Sequence, residues 1–476
     1  MARTSEISII GGGPVGVVAA LYLAKRGFRV TIYEGRPDPR LTRAPGGRSI
    51  NLTLAARGWK ALADVGADGD VRKISLPLSG RFVHGEDGHQ SSHLYGSHDE
   101  CLHTVSRTHL TQALMSIAEP NPNIRLVFGH RLLTLEPKTG LLEFDRPEGG
   151  SALNIRARLL LAADGSHSAV RSSLLRHHSG DYFHAYSRFW YKELTIPKGD
   201  DWPLDPGFTH VWPRDDALLV AFPNTNRSFS ATLFMPFEGP RSFSALRSRA
   251  DLLALFESTF SDVPQLAPNL DYAFFARPIA PLLTIRCSPW VSSGKFALIG
   301  DAAHTMVPFL GQGMNAGFED CTVLDGCIAS CGEDWEAVLT EYERLRKPNC
   351  DAVTDLAERH YQELAVGLKD PTYAKRKRIE HRVHEMHPDH FVPLYTLVSF
   401  TRLPYTLASV VTARQDRLVD TLLAIEDVEE RWETDAVRRA IREYVDATSP
   451  LALTDGLGLV RTEPPRGGPA EDPLAS

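Results

Sequence analysis

Short apolar runs alternate with glycine-marked turns from the start of the chain. Ile7, Ile9 and Ile10 belong to a run over 7–10 that stops at Gly11-Gly12-Gly13. Residues 15–26 carry apolar positions at helical spacing and end at Gly27, and 28–33 return to strand character before Glu34. Strand, helix, strand predicts a βαβ opening. Residues 49–65 and 107–119 predict helices. Residues 84–95 predict a hairpin turning at Gly85 and Asp87-Gly88, 124–136 strand and turn, and 159–163 a buried strand leading into Asp164-Gly165.

Between about 180 and 280 the texture changes. Alternating runs over 188–196, 218–222 and 229–235, separated by proline-rich turns, predict a mainly antiparallel sheet and a second domain. The buried-strand pattern returns at 295–299, and helical periodicity dominates after Gly313. The most apolar long window, 391–411, is interrupted by Pro393, Arg402 and Pro404 and reads as buried helix, not a membrane span. Residues 375–382 are a charge run expected on a solvated helix face, and the Pro- and Gly-rich 461–476 is expected to be a disordered tail.

The predicted fold class is α/β: a Rossmann-like dinucleotide-binding domain, an antiparallel β-sheet substrate domain and C-terminal helices. Residues 1–72, 107–180 and 281–350 are expected to form three parts of the first, with 73–106 lending a hairpin to the substrate domain (181–280) and 351–460 forming the helical domain.

Composition narrows the function. The 476 residues include 43% hydrophobic and 23% charged positions, ordinary for a soluble globular enzyme. A net charge of −7 gives no support to nucleic-acid binding. The start lacks the charged-then-apolar pattern of a secretory leader. The six cysteines show no CxxC or zinc spacing, so reduced structural thiols in a cytoplasmic protein are expected.

Two segments carry the chemistry. Gly11, Gly13 and Gly16 fit G-x-G-x-x-G between a strand and a helix: Gly11 for the tight turn, Gly13 for close approach of a pyrophosphate, Gly16 for helix–strand packing. The helix N-terminus offers amides and a positive dipole end to phosphates. Glu34 lies where a carboxylate accepts ribose hydroxyls. This motif alone fits FAD or NAD, or a structural glycine turn. The second segment is Gly300-Asp301-Ala302-Ala303-His304, with Pro308 and Gly311-Gln312-Gly313-Met314-Asn315. Asp301 can accept hydrogen bonds from a ribityl chain. The helix opened by Gly311, Gly313 and Asn315 can aim its N-terminus at the charge of a reduced flavin. The alternative is a capped strand–helix junction with nothing bound. Arg81, read from its surroundings alone, is either a solvated charge or, with Tyr95, half of a carboxylate clamp.

These segments resemble those of the class A flavoprotein aromatic hydroxylases. Asp164-Gly165-Ser166-His167-Ser168-Ala169-Val170-Arg171 resembles that family's internal fingerprint for FAD and NADPH handling. The stretches 47–52, 105–107, 191–197, 210–214, 233–237 and 391–396 resemble the members that hydroxylate kynurenine. The resemblance runs from the first strand to about residue 410. It implies FAD contacts at Val15, Tyr33, Glu34, Arg36, Arg107, Leu132, Asp301, Met314 and Asn315, with Asp164 on the fingerprint. It puts Arg81 and Tyr95 on the substrate carboxylate, Tyr395 on a third pocket residue, and Val211, Leu218, Val220, Phe234 and Pro308 along an apolar slot for the ring.

The implied activity is hydroxylation of L-kynurenine to 3-hydroxykynurenine with FAD, NADPH as transient electron donor, and O2. With a substrate whose ring is activated by its own amino group, no catalytic base is named. The clamp is a candidate sensor that makes reduction wait for substrate. Eukaryotic members of the family carry a C-terminal membrane anchor, and none is expected here. Departures fall in the pocket. His360 and Leu364 stand where the family has Asn and Met, Thr209 where an apolar residue is usual, and Leu310 where His or Phe is usual. His360 is either a substitute hydrogen-bond partner or a helix-surface histidine. Two alternatives stay open: hydroxylation of another aromatic amino acid or anthranilate-like acid, and an FAD-binding regulatory protein without hydroxylase activity.

Overall fold

The computed structural model describes residues 6–41, 50–96, 100–145, 153–177, 179–268, 270–366 and 371–451. Gly47, Arg48 and Ser49 of one matching stretch, the side chain of Leu364 and the expected tail 461–476 lie outside the described residues.

Strand β1 (Glu6–Ile10) is the middle of a six-stranded sheet. It pairs in parallel with β2 (Arg29–Tyr33) on one side and with Leu160–Ala162 on the other. Ile124–Val127 extends the sheet beyond β2, and Phe296–Leu298 and Val291–Ser292 extend it beyond Leu160–Ala162, only the last pair being antiparallel. A parallel strand covered on both faces needs apolar side chains on both, which is why 7–10 is nearly continuous rather than alternating. Helix α1 (Pro14–Lys25) begins with Pro at its first turn, where no amide is lost. Ten of its residues are buried, so it shows no polar stripe.

The second sheet has eight strands, in the order His304–Thr305, Ala280–Ser288, Asp181–Ile196, Phe229–Pro236, Ala217–Pro223, Phe208–Arg214, Gly80–His84 and Gln90–Leu94. Its neighbours are antiparallel except Phe208–Arg214 with Gly80–His84. That parallel pairing joins the Arg81 hairpin to the sheet formed by the 181–288 region. Alternation divides the two faces. Trp212, Leu219 and Leu233 enter a core shared with Arg249–Thr259 and Leu270–Ala276. Val211, Leu218, Val220 and Phe234 enter another, shared with the C-terminal helices.

The helical pattern within 49–65 is the helix Ala56–Asp64, and Asn51–Leu54 before it is a strand paired with Leu102–Ser106. The 391–411 window is split into Leu394–Phe400 and Tyr405–Leu423, the second opening after Pro404. Helix Trp335–Val366 runs through Pro348. All six cysteines are free thiols. Among the described residues no helix is long and apolar enough to cross a membrane.

Candidate active site

The glycines of the first motif have separable reasons. A Cβ on Gly16 would lie 2.1 Å from the Gly11 carbonyl oxygen, and one on Gly11 (φ +102) 2.3 Å from that of Ala163. Both are therefore dictated by the protein's own packing. Gly13 has ordinary angles (φ −70, ψ 174), and its Cβ would meet nothing within 4 Å. The fold does not require glycine there; an approaching phosphate group would. Glu34, buried at the end of β2, accepts from the Gly12 amide (2.8 Å) and from the amide and Nε of Arg36 (both 2.9 Å). Burial pushes its carboxyl up, but Arg36 and these amides outweigh that and hold it below the usual carboxylate value. Tyr33 gives its carbonyl to the Gly11 amide (2.8 Å) and turns its ring onto Phe144, 4.9 Å away. Leu132 is in the same core. Arg107 is exposed at the start of its helix, its amide on the Ile50 carbonyl.

The two distant motifs touch. Val15 fills the space left by missing side chains at Gly300 and Gly317, whose Cβ atoms would stand 3.2 and 2.7 Å from its methyls. The internal fingerprint reaches the same place. Asp164 Oδ2 caps helix Ala169–His177 through the amides of Ala169 (2.8 Å) and Val170 (3.3 Å), while its Oδ1 is buried with no hydrogen-bond partner among the described residues. Burial raises the Asp164 pKa, outweighing the amides and Ser168. Arg171 donates to the Ala302 carbonyl (2.9 Å) and the Ser166 carbonyl (2.5 Å), joining the fingerprint to the Gly300–Ala302 turn. Asp301 is exposed on that turn.

Helix Gly313–Cys331 starts just beyond Gly311 (φ +65), where a Cβ would be 2.5 Å from Thr53 Oγ1. Met314 is half-buried in its first turn. The Asn315 amide is fully used inside the protein. It donates to the Thr53 (2.9 Å) and Gly311 (2.8 Å) carbonyls and accepts from the Ala55 amide (3.0 Å). Its side chain thus fixes the helix start, leaving the first-turn amides as the groups that could face a flavin. The free approach at Gly13, the helix-end amides and the orphaned Asp164 oxygen fit a dinucleotide cofactor laid between the two glycine segments.

At the other end, Arg81, Tyr95 and Tyr395 come together from three elements. The guanidinium carbon lies 5.3 Å from the Tyr95 ring centroid and 4.5 Å from that of Tyr395, and both phenols hydrogen-bond it. The two rings stack at 5.1 Å. Burial works against the Arg81 charge, but Tyr395 and Tyr95 outweigh it and raise its pKa. His360 is 7% exposed, not a surface histidine. Its Nδ1 is 3.7 Å from Glu363 Oε2, its ring 6.2 Å from that of Tyr395, and its Nε2 is buried with no partner among the described residues. Burial, and secondarily Arg81, hold its pKa below the ordinary histidine value against the pull of Glu363. Thr209 sits opposite Arg81 in the parallel ladder, its Oγ1 buried with no partner among the described residues.

Val211, Leu218, Val220 and Phe234 share the sheet face next to this cluster. Phe309, which the sequence reading did not single out, packs 5.2 Å from Phe234 and stacks on Tyr361 at 4.8 Å. Its place beside Pro308 was the only local signal. These rings, with Phe189 and Leu218, border a small, partly open cleft. Pro308 is exposed and Leu310 buried.

Comparison with known proteins agrees with this geometry. Residues 4–187 and 274–357 match the FAD_binding_3 family, an FAD binding domain. The kynurenine 3-monooxygenase of Flavobacterium johnsoniae is 37% identical over 447 residues, 94% of this chain and 100% of that protein. That of Sus scrofa is 38% identical over 88% of this chain and 89% of its own length. That of Salinispora arenicola is 40% identical over 88% and 92%. Among solved structures, the tetrameric form of 2-methyl-3-hydroxypyridine-5-carboxylic acid oxygenase superposes with a TM-score of 0.63 at 22% identity, covering 78% of this chain and 95% of that one. P. aeruginosa PqsL in complex with 2-aminobenzoylacetate gives 0.62 at 17%, covering 76% and 96%. At these identities the structural matches show the fold.

Fold, glycine segments and family match together define an FAD-dependent monooxygenase with the class A architecture. Within that class, the chain belongs to the kynurenine 3-monooxygenase family.

Proposed function

We propose that this enzyme hydroxylates L-kynurenine at ring position 3, with NADPH as electron donor and O2 as the oxygen source. The observation that carries this reading is the Arg81–Tyr95–Tyr395 cluster at the end of an apolar slot. A charged guanidinium flanked by two phenols is built to take a carboxylate through charge-assisted hydrogen bonds. Gripped there, an amino acid directs its aromatic ring over Val220 and Phe234. The glycine segments would hold FAD, which when bound would carry two electrons from NADPH to O2, so that one oxygen atom of O2 enters the ring and the other leaves as water. The chain's own residues bind, orient and keep water out. Arg81 fixes one end of the substrate, the sheet face fixes the plane of the ring, and Phe309 with Leu310 shields the slot. The ring amino group activates the carbon beside it, so no side chain is assigned as a base.

His360 Nε2 and Thr209 Oγ1 support a second reading, a different aromatic amino acid or anthranilate-like acid. Two orphaned buried polar atoms beside the clamp favour a substrate that hydrogen-bonds them. The test is NADPH consumption with product mass for L-kynurenine against tryptophan and anthranilate. Coupled oxidation and a product one oxygen heavier with L-kynurenine supports the first reading. Coupled turnover with another acid in its place selects the second.

A further inference from the structure

Arg57 joins the substrate clamp to the helix that opens beside the flavin segment. It is 2% exposed, so its charge must be balanced within the protein. Nη1 donates to the carbonyls of Val398 (2.9 Å) and Thr401 (2.8 Å), and Nη2 to that of Leu403. These are the C-terminal carbonyls of Leu394–Phe400, the helix that carries Tyr395 in its first turn, and the residues just after it. On its other edge, Nε donates to Glu319 Oε1 (2.9 Å), on helix Gly313–Cys331.

A second path leads to the same helix. The guanidinium carbon stacks 3.9 Å over the Tyr405 ring, and the Tyr405 hydroxyl donates to Gln312 Oε1 (2.9 Å) at that helix's N-cap. The segment bearing Arg57 is itself keyed to the helix start. Asn315 holds Thr53 and Ala55, and a Cβ on Gly58 would stand 2.4 Å from Asn315 Oδ1.

One guanidinium thus touches the element that carries a clamp residue and, by two routes, the element facing the cofactor. We infer that Arg57 is a positioning residue that transmits occupancy of the Arg81–Tyr95–Tyr395 clamp to the N-terminus of helix Gly313–Cys331. Through it, substrate binding sets how readily NADPH reduces the flavin. This rests on the substrate reading given above.

The test uses the holoenzyme, wild type, Arg57→Lys and Tyr405→Phe. Three quantities are read: the Kd of L-kynurenine by flavin fluorescence, the ratio of NADPH-driven flavin bleaching with and without it, and kynurenine-induced protection of backbone amides against hydrogen exchange. For Arg57→Lys we expect a Kd within about 3-fold of wild type and a stimulation ratio reduced about 10-fold or more. Protection should persist over 394–400 and vanish over 313–319. Tyr405→Phe, which cuts one route and keeps the packing, should lower the ratio less, in the same direction. Undiminished stimulation and protection of 313–319 in either variant overturns the inference. If Arg57→Lys does not retain FAD, Tyr405→Phe decides by the same criteria. A wild type that does not bind kynurenine refutes the substrate reading alone, and the exchange comparison is then made with the aromatic acid that is hydroxylated.

Discussion

In the proposed function Arg81 is the single charge that does most for recognition. Its two phenol partners keep the guanidinium in place without neutralising it, so on that reading the substrate carboxylate is its counter-charge. Truncation in Arg81→Ala removes that charge and leaves both tyrosine hydroxyls buried. The KM of the substrate should rise about 10- to 100-fold, the worth of a hydrogen bond to a charged group, with FAD still bound. An unchanged KM would refute the clamp. A second residue sets acid sensitivity. His210 lies beneath the same sheet, with Nε2 on the Asp205 carbonyl (2.9 Å) and Nδ1 3.0 Å from His84 Nε2. A carbonyl can only accept, so Nε2 carries the proton and Nδ1 must accept from His84. Protonating His210 would set two N–H groups against each other. Burial pushes its pKa down to about 4, with His84 reinforcing and Asp205 opposing. Unfolded histidine takes up its proton near pH 6.5. Between these values the unfolded chain binds more protons, so stability falls as pH drops from about 6.5 to about 4, by up to about 3 kcal/mol. Urea unfolding across that window should show the slope, and His210→Gln should flatten it.

At the scale of elements, the βαβ opening was legible because its reasons are local. The glycine spacing, the apolar runs and Pro14 act over a few residues, and strand, helix and strand appear where the pattern placed them. The Arg81 hairpin was legible as a hairpin. Its parallel pairing to a strand some 130 residues later was not, since nothing in 80–94 encodes the partner. The strand Asn51–Leu54 was not legible for the same reason: its strand character comes from Leu102–Ser106. Arg57 and Phe309 escaped because their partners are distant in sequence; Arg57 reads locally as a helix-surface arginine. The glycine turn also yields a paired test. Gly13→Ala should fold with near wild-type apoprotein stability yet hold FAD at least about 10-fold more weakly, because the added methyl occupies the approach and meets no atom of the described residues within 4 Å. Gly16→Ala should lose stability itself, by about 1–3 kcal/mol or more, since its methyl meets the Gly11 carbonyl. Thermal melts of the apoproteins and FAD titrations separate the two, and equal effects of both variants on both readouts would contradict the distinction.

At the scale of the whole molecule, the pieces of the cofactor domain are joined behind the site by a buried charge network. Asp320 Oδ2 accepts from the Gly300 amide (2.8 Å) and His304 Nε2 (2.7 Å), and Oδ1 from Arg346 Nε (2.7 Å). Arg346 also pairs with Glu319 (2.6 Å) and caps the Ala316 carbonyl (3.1 Å). Burial would raise the Asp320 carboxyl, but His304 and Arg346 outweigh it and hold it ionised. The same three acidic, basic and imidazole groups bring the sheet edge at Gly300, the helix Gly313–Cys331 and the helix Trp335–Val366 to one point. A cation held by His304, Asp320 and Cys350 is disfavoured there, because the Arg346 guanidinium already occupies Asp320 and lies 3.2 Å from the Cys350 sulfur. Arg346→Met therefore strands two carboxylates with one cationic partner fewer, Asp320 keeping only His304 and Glu319 only Arg57, and should cost about 3–5 kcal/mol. Because the broken link lies under the flavin segment, the loss should also show as release of FAD at a lower temperature than in the wild type. Pairing the change with Asp320→Asn removes one of the stranded charges and should recover part of the stability. A double variant no more stable than Arg346→Met would show that the network is not held by this charge pairing.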